Sequence, residues 1–149
     1  MIETLHVIFD SSGSFVEAGK DFMKNYLGNT AENLRLAYED NVEFIFYTWS
    51  NELSEVESVE KISARGVANA EVLQNFLLEL GENDAVILIT DGDFDGIKKS
   101  SFRAAVNSLG RRFAVIAAGY DAEIILLQKL SPNFFAAEDM LTAFKMFLN

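Results

Sequence analysis

The segment Asp10-Ser11-Ser12-Gly13-Ser14 puts one carboxylate and two hydroxyls at alternate positions, on Asp10, Ser12 and Ser14, directly after the apolar run 5–9. Three oxygen donors converging from one tight turn suit a hard divalent cation such as Mg²⁺, which seeks near-octahedral oxygen ligands and keeps several waters. A second acidic turn, Thr90-Asp91-Gly92, closes another apolar run at 86–89. Two acid-bearing turns at the ends of two buried strands imply a single site.

Other chemistries are excluded or weakly supported. The chain has no cysteine, which removes disulfides, zinc–thiolate centres and cysteine nucleophiles. His6 is its one histidine and falls inside the first strand, where a packed or hydrogen-bonded role is expected. No Gly-x-Ser-x-Gly elbow accompanies it, and neither a phosphate-binding glycine loop nor a dinucleotide fingerprint is present. Asp91-Gly92-Asp93-Phe94-Asp95-Gly96 imitates the start of an EF-hand loop, but its twelfth place is Phe102, where that site needs a bidentate glutamate. With 23 acidic against 12 basic residues the formal net charge is -11. A field of that sign repels nucleic-acid phosphates and anionic lipid, so neither nucleic acid nor membrane is expected as a partner. No run approaches the length of a membrane span and no secretory signal is recognised, so a cytoplasmic location is expected.

The elements that must carry these turns follow from periodicity. Residues 4–9, 42–49, 84–89 and 112–118 are apolar or rich in β-branched and aromatic residues and read as strands, with a brief one at 134–136. Residues 53–59 alternate poorly and carry acids, as a charged edge strand does. Helical stripes begin at Ser14 with Gly28 as the expected stop, and recur at 67–80, 98–109, 122–130 and 138–148; residues 33–40 fit either a short helical turn or a loop. Strands alternating with helices predict one α/β domain over 1–149: three layers, α/β/α, around an open, mostly parallel, Rossmann-like sheet of about six strands with one antiparallel edge. Such sheets bind ligands at the carboxyl ends of their strands, where Asp10 and Asp91 both fall.

With both motifs at matching strand ends, the chain resembles the von Willebrand factor type A domain over nearly its whole length. Asp10-Ser11-Ser12-Gly13-Ser14 matches the Asp-x-Ser-x-Ser motif of that family's metal-ion-dependent adhesion site (MIDAS), and Thr90-Asp91-Gly92 matches its second acidic loop. The resemblance implies that Asp10, Ser12, Ser14 and Asp91 surround Mg²⁺, or Mn²⁺ or Ca²⁺ in its place, with an open position completed by a carboxylate from a partner protein. In one loop the sequence departs from the family. Arg65-Gly66-Val67-Ala68-Asn69 puts Ala68 where a threonine ligand is expected, and neither Ser63 nor Asn69 stands at the matching position. One oxygen is missing, so a weak or vacant site is also a possible outcome.

Around the centre, Phe15, Trp49, Asn69, Asp93 and Asp95 are expected to form the partner-binding rim. Burial is the alternative for Phe15 and Trp49, and a solvated turn for the two aspartates. The expected function is a non-enzymatic protein-interaction module working through a divalent cation. Two alternatives stand beside it: a metal-free scaffold binding through its acidic and apolar surface, and a Mg²⁺-dependent phosphoryl hydrolase. Against the latter, the first turn lacks the second aspartate of an Asp-x-Asp phosphatase.

Overall fold

In the computed structural model the first strand, β1 (Thr4–Asp10), is buried from Leu5 through Asp10. The structure describes residues 1–12, 21–62, 66–119 and 122–148. β1 lies between two parallel neighbours, β2 (Glu43–Trp49) and β4 (Asp84–Thr90), so both its faces and both its edges are covered. That position explains its continuous apolar run. β3 (Leu53–Val56) runs antiparallel to β2 at one edge, while β5 (Phe113–Ala117) and β6 (Phe134–Ala136) extend the sheet in parallel beyond β4. The order is β3-β2-β1-β4-β5-β6, as the mostly parallel six-stranded reading expects.

Alternation along the strands divides the core into two layers. Leu5, Val7 and Phe9 share one face with Phe46, Ile87 and Ile89, and pack with Leu27, Ala31 and Leu34 of α1 (Asp21–Tyr38) and with Met140, Ala143 and Phe144 of α5 (Met140–Lys145). Ile8 shares the other face with Trp49, Val86 and Leu88. That face is covered by α2 (Ala70–Leu78), α3 (Ser100–Leu109) and α4 (Ile124–Leu130). The result is the expected three-layer α/β/α arrangement.

The first helix departs from its expected boundary. α1 runs on through Gly28 and Asn33 to Tyr38, so Gly28 is not a stop. The glycine serves packing instead. A Cβ at position 28 would lie 2.5 Å from Val59 Cγ1 and 2.9 Å from its Cβ. Val59 sits in a 3₁₀ turn, Val59–Lys61, and its amide donates to Glu32 Oε1 at 2.9 Å. The turn is thus seated against the helix where a side chain is missing. This also shortens the edge strand: β3 ends at Val56, and Val59, expected within it, is buried at 4% exposure under α1.

Candidate metal centre

The sheet register brings the two acidic turns together. Phe9 pairs with Ile89, so the next residues, Asp10 and Thr90, are neighbours across the β1–β4 boundary. This is the point where strand order reverses, at which open α/β sheets form a crevice. Both side chains follow the alternation onto the α2/α3 face of the sheet. Thr90 Oγ1 donates to Asp10 Oδ2 at 2.6 Å and accepts from the Gly92 amide at 3.0 Å. Asp10 Oδ1 accepts from the Ser12 amide at 2.9 Å and from the Ser12 hydroxyl. A serine that gives its proton to a carboxylate keeps its oxygen lone pairs for another electrophile.

Asp91 is also buried, at 3% exposure, and accepts from the Asp93 amide at 2.9 Å. Its carbonyl accepts from the Glu123 amide at 2.7 Å. Gly92 follows with φ +80°, a conformation glycine takes without a Cβ penalty.

Asp10 is 1% exposed. Burial pushes its carboxyl above the ordinary value of 3.8; the Ser12 and Thr90 hydroxyls and the Ser12 amide pull the other way, and the Asp91 charge adds to the rise. Among the described residues no Lys, Arg or His side chain pairs with Asp10; His6 meets Asp84 instead, at 3.3 Å. Two buried acids are therefore adjacent, and the donors found on Asp10 are neutral hydroxyls and an amide. That environment fits a divalent cation, whose charge would offset both the burial and the repulsion. The donors are all oxygen, which suits Mg²⁺, Mn²⁺ or Ca²⁺. Among the described residues no group of three or more His, Cys, Asp or Glu side chains is placed to hold a metal. Any ion here would rest on two carboxylates, hydroxyls and water.

The other expected site residues differ in burial and engagement. Ser14 and Phe15 lie outside the described residues. Asp93 and Asp95 are exposed. Asn69 is exposed, but its side chain is engaged as the cap of α2, with Oδ1 accepting from the Glu71 amide at 2.9 Å and the Val72 amide at 3.2 Å. Trp49, expected on the rim, lies instead in the core with no exposed surface. Its Nε1 donates to the Asn69 carbonyl at 3.0 Å, and its ring meets Phe94 edge to face at 4.9 Å. Burial satisfied by that one hydrogen bond is what an indole at the end of a covered strand can reach. Ala68 is buried at 3% in the same apolar cluster, while its neighbour Val67 is 67% exposed. Neither side chain carries an oxygen.

Two contributors were not singled out from the sequence. Thr90 links the two acidic turns, and Ser11 ties the first turn to β2, its amide and hydroxyl both donating to the Trp49 carbonyl at 2.8 and 3.0 Å. The signal for Thr90 was its place one residue before Asp91, which becomes informative only with the β1–β4 register.

His6 stands apart from this centre. Its Nε2 lies 3.3 Å from Asp84 Oδ1, at the opposite end of β4, and its Nδ1 lies 2.8 Å from the Tyr47 hydroxyl.

No protein-family model and no curated protein matches the sequence. Solved structures do match. A von Willebrand factor type A protein from Catenulispora acidiphila aligns with a TM-score of 0.72 and 16% identity, over 98% of this chain and 43% of that one. The manganese-loaded TRAP protein of Plasmodium vivax aligns with a TM-score of 0.70 and 15% identity, over 99% of this chain and 74% of that one. Proximal thread matrix protein 1 from the mussel byssus, with a zinc-occupied MIDAS motif, aligns at 0.64 and 18%, over 98% of this chain and 44% of that one. The chain thus spans less than half of the first and third of these proteins. At such identities the likeness speaks for architecture. Together with the strand order and the antiparallel edge, it establishes that this chain has the von Willebrand factor type A fold.

Proposed function

We propose that the chain is a protein-interaction module that engages a partner through a divalent cation, Mg²⁺ in the first instance, held by Asp10, Ser12, Ser14 and Asp91. The observation that carries this reading is the pair of buried acids at the strand switch point, one of them held by hydroxyls and an amide. Neighbours of the same fold loaded with manganese and zinc support it. A bound cation would supply a positive centre that a partner carboxylate could complete, so that metal and partner would bind cooperatively. Asp93 and Asp95 keep the rim acidic. No reaction is assigned: the one histidine is buried and held by Tyr47 and Asp84, far along the strands from the acids.

A specific observation favours a second reading. The loop before α2 offers Val67 and Ala68, without a hydroxyl, so a metal-free scaffold that binds by surface alone competes. Affinity capture with the purified chain in Mg²⁺, in chelator, and with Asp10→Ala separates the two. Loss of the partner in chelator and in the variant supports the cation-dependent module; identical recovery in all three conditions supports the scaffold.

A further inference from the structure

A cavity of about 490 Å³ lies between the N-terminal ends of α2 and α3, the helices that cover the face of the sheet onto which Asp10 points. Its floor is apolar: Ala68, Ala70 and Phe102 are buried. Primary amides also line it. The side chains of Gln74 and Asn75 make no hydrogen bond among the described residues, and Asn51 accepts from the Ser50 hydroxyl at Oδ1, which leaves its amino group to donate. The charges at its mouth are of both signs, Asp95 and Glu71 against Lys99, so no strongly charged group of either sign is favoured. Gly96, with φ +93°, lets the loop after β4 press against α2: a Cβ there would stand 2.8 Å from that of Ala70. The cavity is thus a built feature of this face.

Primary amides present donors and an acceptor together, which matches the peptide unit, one donor and one acceptor per residue. Asp95 lines the cavity and Asp91 belongs to the metal centre, four residues earlier in the chain. At no more than about 3.6 Å per residue, the two places are within roughly 14 Å, a span that an extended peptide of about four residues covers. We propose that the cavity binds the extended main chain of the partner segment that carries the metal-binding carboxylate. The partner would then be read as a linear acidic peptide, and not as an isolated carboxyl group. This rests on the metal-face reading above.

The test uses two probes on the full chain in Mg²⁺ and in chelator, followed by amide NMR titration: a blocked pentapeptide with one central aspartate among glycines, and N-acetylaspartate amide. In Mg²⁺ the pentapeptide binds about tenfold tighter, the order of two or three net hydrogen bonds, and moves the side-chain amide signals of Gln74 and Asn75. The gain disappears in Gln74→Ala/Asn75→Ala and in Ser101→Trp, which fills the mouth from an exposed position. Equal affinity of the two probes, or a gain that survives both variants, overturns the cavity and leaves the metal reading standing. Movement of the Gln74 and Asn75 signals by the pentapeptide in chelator, unaltered by Mg²⁺, supports the cavity and counts against the metal reading. Binding of neither probe in either condition overturns both.

Discussion

Replacing Asp10 by asparagine should stabilise the metal-free protein while removing its affinity for the cation. Asp10 is 1% exposed, and burial holds its carboxyl above the ordinary 3.8. Below that value the folded and unfolded chains both carry the proton, and the group contributes nothing to the pH dependence. As pH rises, the unfolded chain ionises first, so stability falls until the folded carboxyl has also lost its proton, and the penalty is complete above that point. Asparagine removes the charge and keeps most of the geometry. Its carbonyl can take the Ser12 amide and hydroxyl, and its amino group can donate to Thr90 Oγ1, which has a second lone pair beside the one given to Gly92. The Thr90 hydroxyl must turn its proton away, which limits the gain. A gain of about 0.5–2 kcal/mol is expected, the usual range for relief of a functionally placed destabilisation. For a domain of this size that is roughly 1–8 °C in Tm. Thermal and denaturant unfolding in chelator, across the acid to neutral range, is the assay. The two proteins should converge at low pH and diverge as pH rises. A variant that melts below the wild type at neutral pH in chelator would refute the reasoning, because the hydrogen bonds to the carboxylate would then outweigh its burial.

Other substitutions probe the remaining parts of the account. Gly28→Ala gains about 1 kcal/mol of helix propensity but drives a methyl into Val59, 2.5 Å away; overpacking of this kind costs about 1–3 kcal/mol or more, so a net loss is expected in urea unfolding, and Val59→Ala should restore it in a double-mutant cycle. Burial pushes the Tyr47 hydroxyl from 10.0 up to about 12, with Glu55, Asp84 and Glu43 adding to the rise. Its contribution to stability is therefore full below the unfolded value and lost as pH climbs between these two, which phenolate absorbance and unfolding measured together will show. Ala68→Thr should cost about 1–3 kcal/mol, the penalty of a buried hydroxyl without a partner, and leave cation affinity unchanged, because position 68 packs with Trp49 and Leu73. Val67→Thr, at an exposed position, should be the substitution of the two that tightens the site, as calorimetry can decide.

The acidic turns were legible because both requirements are local: an apolar run buries a strand, and an acid directly after it has only the carboxyl end to occupy. The three-layer order followed from the same runs. What escaped depends on contacts distant in sequence. Gly28 carries the ordinary signature of a helix stop, and only Val59, from the far side of β2 and β3, reveals that the missing side chain makes room for a turn. Trp49 ends its strand beside Asp10, which suggested a rim position; α2 and the loop bearing Phe94 cover it and supply its hydrogen-bond acceptor. Thr90 shows the same limit. Its hydroxyl is unremarkable in the sequence and becomes the link between Asp10 and Gly92 once the strands are in register.

The claim at the centre of this account is that the buried acids at the β1–β4 boundary hold a divalent cation. Titration of Mn²⁺ and Mg²⁺ into chelator-stripped protein, followed by calorimetry and by the relaxation effect of Mn²⁺ on amide signals, tests it most directly. One site is expected, with broadening of signals at Ser12 and Asp91 before all others and loss of binding in Asp10→Asn. Absence of binding, or binding that Asp10→Asn leaves intact, would contradict it.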